Sequence, residues 1–301
     1  MHRRWLALFL SGAALLAGAN YAFASHGFNF STHGTVSTCD DIEIGNQWGD
    51  YQREVARAQE EHTLPAGTAL NVTAYHNGGA SVIGWDKNET QVVACKAATA
   101  ESQPEAQRLL QSLKVNVTGG NISGDGPQSS DDESTWIYFI VHVPKNVNVT
   151  ARSSNGPIEV RRANGSFDLE ARNGPIALDG VSGTIRARTQ NGPIAFTGSG
   201  GDVELTTQNG PIAVSFDQKQ WEGKGLVARV QNGPLSIAVP TDYASGVEVT
   251  TSGHAPIVCS ACEMSSSYTG TTIHLGAKDA PVLVRLSTVN GPVNIAGPRM
   301  F

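Results

Sequence analysis

From Ile158 onward apolar and polar positions alternate with a period of two, in two interleaved sets of short runs. One set pairs Ile158 with Val160, Ile176 with Leu178, Ile194 with Phe196, Ile212 with Val214 and Leu235 with Ile237. The other runs Phe167, Leu169, Ala171; then Ile185, Ala187, Thr189; then Val203, Leu205, Thr207; then Leu226, Ala228, Val230. A period of two rather than 3.6 predicts strands that bury one face. Each run of the first set follows a tetrapeptide Asn-Gly-Pro-Ile, which begins at Asn155, Asn173, Asn191 and Asn209 at intervals of 18 residues. It drifts to Asn232-Gly-Pro-Leu, His254-Ala-Pro-Ile, Asp279-Ala-Pro-Val and Asn290-Gly-Pro-Val, with spacings of 23, 22, 25 and 11. A repeat near 20 residues indicates a repeat architecture.

Asn-Gly tolerates positive φ, and proline fixes its own φ while lacking an N–H, so the motif suits a corner where a ladder begins. A hairpin turn is the rival reading of Asn-Gly. Identical corners at constant period favour a coil in which each unit stacks on the one before, about 4.8 Å away. The expected fold is therefore all-β: a β-solenoid of parallel rungs of 18–25 residues, two short strands to a rung, with an asparagine ladder down the corner. On the second strand of each unit Asp168 and Glu170 would lie beneath Arg186 and Arg188, followed by Glu204 and Arg229, a ladder of alternating sign that pins register. Those carboxylates are expected to be a solvated ladder rather than a catalytic pair. On the first strand the outward residues are Ala177, Ala195 and Ala213, then Ser236, a small-residue stripe that is either covered by another part of the chain or offered to a partner. Trp221, in an insertion at 217–224, is either a cover for the edge of the coil or an exposed aromatic for a sugar ring.

Ahead of the regular repeats (144–301) the pattern degrades. Residues 1–24 have a basic start at Arg3 and Arg4, an apolar run from Trp5 to Ala19 and a small-residue site Ala22-Phe-Ala24, the form of a cleaved signal peptide. The apolar run is shorter than the ~20 residues a membrane span needs. Residues 25–69 are expected to be irregular, with Gly27–Thr38 loop-like and a helix possible over Glu54–His62. Residues 70–143 are expected to hold degenerate early rungs: Leu70, Val72 and Ala74, a corner at His76-Asn-Gly-Gly, then 81–85 and 90–95. Ser102-Gln-Pro-Glu105 forms a capping box before Ala106, Leu109, Leu110 and Leu113, which predicts an inserted helix at about 103–113 with one apolar face. Such a helix can close the end of a coil or cover a flank. The stretch 119–134 reads as a mobile loop, and Trp136–Val143 as a buried strand.

Composition narrows the chemistry. Charged residues make up 16% of the 301-residue chain, glycines number 33, and the formal net charge is −6. Loss of Arg3 and Arg4 with a signal peptide would take that charge to −8, which argues against nucleic acid or anionic lipid as a partner. In an exported chain the four cysteines suggest disulfides. Cys39 is expected to pair with Cys95 and Cys259 with Cys262; a redox or zinc role for Cys259-Ser-Ala-Cys262 lacks a helix N-terminus to lower a thiol pKa and a recognised ligand spacing around His254 and His274. No cofactor or metal site is expected. Seven Asn-Xaa-Ser/Thr sequons, at Asn29, Asn71, Asn88, Asn116, Asn121, Asn148 and Asn164, are expected as a by-product of strands rich in Asn and Thr.

Leu70–Lys96, the capped helix with Val115-Asn-Val-Thr118 after it, the lead-in Val141-His-Val-Pro-Lys-Asn146 and the serial Asn-Gly-Pro-Ile corners together resemble the bacterial putative-adhesin family, a domain of unknown function built as a β-solenoid. The resemblance covers most of the chain after residue 24. The family's usual corner is similar to Ser-Gly-Asp-Ile or Asn-Gly-Xaa-Ile, and here the variable place is nearly always proline. It implies attachment to a partner and supplies no catalytic residues. The expectation is a non-enzymatic envelope protein, adhesin-like or scaffolding, that binds an envelope or extracellular protein or glycan, with Ala177, Ala195, Ala213 and Trp221 as candidate contact residues. The alternative is a carbohydrate-active parallel β-helix enzyme, a lyase or hydrolase. Calcium-binding and ice-binding coils are disfavoured, since Gly200-Gly-Asp202 and Thr206-Thr207 occur once each. Oligomeric state is open.

Overall fold

A computed structural model of the chain describes residues 21–25, 28–32, 36–44, 47–48, 51–130, 132–252, 256–260, 262, 267–269, 272–277 and 279–297. Among them strand predominates, with one α-helix, Gln103–Ser112. Two large open sheets of mixed direction face one another, one of twelve strands and one of eleven. The short strands that follow the Asn-Gly-Pro corners, such as Ile176–Asp179 and Ile194–Thr197, lie in the eleven-stranded sheet, here the corner sheet. The charged second strands, such as Asn164–Ala171 and Ser182–Asn191, lie in the other, here the ladder sheet. The inward residues of both sheets form one core. Every predicted inward position of the second strands, from Phe167 to Val230, is buried.

Within the repeats each strand pairs in parallel with its counterpart one unit on: Ile158 lies against Ile176, Ile176 against Ile194, and Ile194 against Ile212. The corner is where this register is set. Nδ2 of Asn155 donates to Oδ1 of Asn77 at 3.2 Å, Asn173 to Asn155 at 2.9 Å, Asn191 to Asn173 at 2.8 Å and Asn209 to Asn191 at 2.9 Å. All the bonds run in one direction, and Asn77 ends the chain by donating to Ser129 Oγ at 3.5 Å. The glycine beside the asparagine is needed at every level for close approach, and at Gly210 and Gly233 for positive φ as well. A Cβ on Gly192 would strike the carbonyl oxygen of Gly174, and one on Gly174 would strike that of Gly156, whereas neither glycine has positive φ. Buried hydroxyls satisfy several of these carbonyls: Thr189 donates to Gly174 O and Thr207 to Gly192 O, each at 3.1 Å. The proline carbonyls carry the ladder on, accepting from Ile158, Ile176 and Ile194 at 2.9–3.0 Å.

The last units do not stack in chain order. Asn232 bonds to Asn209 as expected, but the next asparagine on the ladder is Asn290, which donates to Asn232 at 2.9 Å. Val282–Asn290 and Val293–Ala296 therefore lie between the unit ending at Ala238 and the strands Gly246–Thr251 and Ile257–Cys259. Asn290-Gly-Pro reproduces the corner, so it takes the level beside Asn232. Asp279-Ala-Pro-Val, expected to be a further corner, instead leads into the strand Val282–Asn290, with Pro281 O accepting from Gly246 N. The expected corner residue His254 lies outside the described residues.

At the other end the chain closes the stack with antiparallel strands. Glu54–Pro65, where local sequence allows a helix over 54–62, is a twelve-residue strand paired along its length with Glu89–Ala100. Cross-strand pairing overrides the local helical preference of Glu and Ala there, and long charged side chains (Arg57, Glu60, Glu61) populate this edge strand, which discourages edge-to-edge association. The stretch 90–95, expected as an early rung, belongs to that antiparallel cover. Phe28–Thr32 is a strand rather than loop. In the expected loop 119–134, Asn121–Asp125 pairs with Lys114–Thr118 and in parallel with Leu70–Thr73, with Ile122 fully buried. The remainder is tied down by Tyr75 Oη donating to Pro127 O and by the Arg53–Asp132 ion pair at 3.0 Å. The helix forms where expected and buries Ala106, Leu109 and Leu110, but its capping box is altered. Ser102 Oγ donates to the Glu105 carboxylate at 2.8 Å instead of accepting from the backbone.

Ile194 is fully buried and Ala195, its neighbour, is half-buried on the outer side. Ile194→Asp should abolish folding, because it places an unpaired charge in the core, whereas Ala195→Asp should fold. Circular dichroism and protease resistance alike for the two would reverse the facing. Gly192→Ala should lower stability by about 1–3 kcal/mol through overpacking. Gly297→Ala, where no atom lies within 4 Å of the added methyl group, should not; urea melts of the two variants compare them directly.

Candidate functional site

Two outer faces could meet a partner. On the corner sheet one outward stripe reads, level by level, Ser81, Glu159, Ala177, Ala195, Ala213, Ser236 and Asn294. Ala177 and Ala195 are half-buried and Ala213 is buried. Trp221 does not extend this face. Its indole is 4% exposed, packs against Phe196 and Phe216, and donates Nε1–H to Gly201 O at 3.2 Å. The insertion 217–224 thus covers the core, because an indole gains more from burial with its N–H satisfied than from exposure.

At the Ser81–Glu159 end the stripe is overlaid by residues 36–44. Val36 and Ile42 are buried against Ile83, Trp136, Tyr138 and Ile140. The Cys39–Cys95 disulfide, with Cα atoms 5.4 Å apart, fastens this segment, and Cys259–Cys262 is the second bridge; both pairings are as expected. Beneath the segment lies a polar cluster. Tyr138 Oη and Ser81 Oγ share a hydrogen bond of 2.8 Å, Ser81 Oγ donates to Glu159 at 2.9 Å, and Arg161 Nε lies 3.2 Å from Glu159. Arg161 also donates to Val36 O and Ser37 Oγ at 3.1 Å. Burial pushes the Glu159 carboxyl above its ordinary value, although Arg161 and the Ser81 hydroxyl pull the other way. Burial likewise raises the Tyr138 phenol. This cluster was not foreseen; the signal was the single charged residue in a stripe otherwise filled by alanine, serine and asparagine.

The ladder sheet presents the more open face. Asp168 lies against Arg186, Glu170 against Arg188, and Arg186 against Glu204, as the sequence predicted. The ion pairs run diagonally as well. Glu204 lies within 3.8 Å of both Arg186 and Arg188 and 3.3 Å from Arg229, Arg188 is 3.7 Å from Asp168, and Arg152 is 3.6 Å from Glu170. These side chains are about half exposed, so each pair is worth at most ~1 kcal/mol. Between this array and the asparagine ladder runs a groove bordered by Arg172, Gln190, Gln208 and Gln231, the residues that immediately precede the corner asparagines, and by Arg188, Arg229 and Glu170, the last paired with Arg152. The glutamines went unremarked in the sequence although they recur with the repeat. Among the described residues no group of three or more His, Cys, Asp or Glu gathers at one point, and no helix is long and apolar enough to cross a membrane.

The folded state holds Glu159 more readily protonated than the unfolded chain does, so stability is full below the ordinary glutamate pKa of 4.5 and falls as pH rises through the raised folded value. Glu159→Gln keeps an acceptor for Ser81 and removes the titration. Its stability should vary less with pH than that of the wild type over the window from about pH 4.5 upward. Parallel melting curves across that window would contradict this assignment.

No protein-family model matches the chain, and no curated protein matches it. Solved structures similar to it include a putative cell adhesion protein from Clostridium sporogenes, 11% identical, covering 81% of this chain and 100% of that one at a TM-score of 0.31. A putative adhesin from Bacteroides fragilis is 8% identical over 81% of this chain and 97% of that one, at a TM-score of 0.32. A putative lipid binding protein from Parabacteroides distasonis is 9% identical over 79% and 96%, at 0.25. The two of these named for adhesion come from different genera, at identities and TM-scores too low to assign this chain a function.

Proposed function

We propose that this chain is an exported, non-enzymatic, adhesin-like protein of the cell envelope that binds an envelope or extracellular partner along the side of a β-solenoid. In this reading residues 1–24 are a signal peptide, 25–69 the N-terminal segment, 70–143 the early rungs with their covering strand and helix, and 144–301 the repeat region, whose units up to Ala238 and then Val282–Ala296 advance by one strand spacing of about 4.8 Å each. A cleavage after Ala24 would cut within the strand Tyr21–Ser25, leaving the covalent hold of the Cys39–Cys95 bridge in place. Two disulfides suit an oxidising compartment.

The observation that carries the reading is that the outer faces set side chains in straight lines along the stack, Ala over Ala on one face and acid alternating with arginine on the other, rather than around one point. Catalysis calls for unlike groups converging on one reacting atom, whereas parallel lines suit an extended ligand. Among the described residues the one carboxyl with a clearly raised pKa, Glu159, is held by Ser81 and Arg161 beneath residues 36–44 and away from the groove.

The protein should bind isolated envelope fractions saturably and show no turnover on polysaccharide, peptide or phosphoester substrates. Substrate turnover that a single exposed carboxylate change such as Glu204→Gln abolishes would instead make the chain a carbohydrate-active enzyme or other hydrolase. Absence of saturable binding would remove the adhesin-like role.

A further inference from the structure

We infer that the groove on the ladder sheet is a binding site for an extended acidic glycan, lying along the stack with its carboxylates on Arg172, Arg188 and Arg229 and its hydroxyls on the Gln190, Gln208 and Gln231 amides. This rests on the proposed binding role and names its surface and ligand class.

Charge is the first ground. The chain as a whole has 27 acidic and 21 basic residues, yet this face reverses the balance. Arg152, Arg172, Arg186, Arg188, Lys224, Arg229 and Arg285 stand on this face against Asp168, Glu170, Asp202, Glu204 and Glu248. The five carboxylates are all engaged by cations of the same face, Asp202 by Lys224 and the others by arginines. Arg172, exposed at the groove, has no ion-pair partner among the described residues. Guanidinium groups favour planar, bidentate carboxylate ligands.

The amides are the second ground. The asparagine ladder spends its side-chain hydrogen bonds within the fold, each amide on the next. One position earlier, Gln190, Gln208 and Gln231 are exposed, line the groove, and make no side-chain hydrogen bond among the described residues. Their donors and acceptors remain available, and sugar hydroxyls are complementary to both.

The third ground separates ligand classes. No aromatic side chain lines the groove, so it lacks the stacking platform by which proteins hold single-stranded bases. A protein partner would want buried aromatic or aliphatic anchors; the groove offers one exposed large apolar side chain, Val289 at one end, and the rest of its apolar surface comes from small groups and from the stems of Thr, Gln and Arg side chains. A polyuronate has one carboxylate per sugar, several hydroxyls, and a rise per sugar comparable to the ~4.8 Å between rungs.

The test measures binding of the full protein to polygalacturonate, neutral dextran and single-stranded DNA, for wild type, Arg172→Ser, Gln190→Ala/Gln208→Ala and, on the opposite face, Ala195→Arg, each shown to melt as wild type does. Expected is saturable binding to polygalacturonate, weakened about tenfold by either groove variant, reduced by salt, unchanged by Ala195→Arg, and absent for dextran. Polygalacturonate binding that is absent or insensitive to the groove changes would overturn the site, and preference for DNA would overturn the ligand class. Envelope-fraction binding measured beside it separates the two readings. If wild type binds envelope but not polygalacturonate, only the groove assignment fails; if it does not bind envelope, the adhesin-like role fails.

Discussion

The structure depends on how closely one Asn-Gly-Pro corner can sit on the next. Without a Cβ, Gly192 approaches the backbone of Gly174, and Gly174 that of Gly156, at a distance that no other residue could match. That approach lets Asn191 reach Asn173 with a single amide hydrogen bond, and it leaves glycine carbonyls facing inward, where Thr189 and Thr207 satisfy them. Backbone pairing elsewhere in a unit is compatible with several registers. The corner is compatible with one, because a shift of one residue would put a side chain into the glycine column and turn the apolar face of the strand outward.

Once the corner sets register, the outer faces follow. A residue type that recurs at the repeat becomes a straight line on the surface, which is why charges form a ladder, alanines a stripe and glutamines a row. Opposite charges on adjacent strands add little stability when half exposed, yet they disfavour every register that sets like charges together. The same rule orders the far end. Asn290-Gly-Pro continues the asparagine column beside Asn232 ahead of the intervening segment, so the column takes precedence over chain order.

The ends of a stacked sheet need separate treatment, since each offers unpaired backbone. Near the start of the stack the chain covers itself with the strands Glu54–Pro65 and Glu89–Ala100 and the helix Gln103–Ser112. Residues 36–44 then lie over the outer face of the corner sheet, held by a disulfide and by Arg161. This burial converts what would be an exposed Glu159–Arg161 pair into a desolvated one, and that is the origin of the raised Glu159 pKa.

The sequence by itself determined the strands, their facing and their register between 155 and 232, because period-two alternation and an 18-residue corner repeat carry that information locally. It determined the alternation of Asp168, Glu170, Arg186, Arg188 and Glu204; four cysteines allow three pairings, and the expected one forms because residues 36–44 pack beside Cys95. Only the tertiary structure decided matters that turn on contacts between distant segments. Glu54–Pro65 is a strand because Glu89–Ala100 pairs with it, and Asn121–Asp125 is a strand because Leu70–Thr73 lies beside it. Trp221 is interior because Phe196 and Phe216 make room for it. The level taken by Asn290 and the burial of Glu159 likewise depend on partners 58 and more than 100 residues away, beyond the reach of local periodicity.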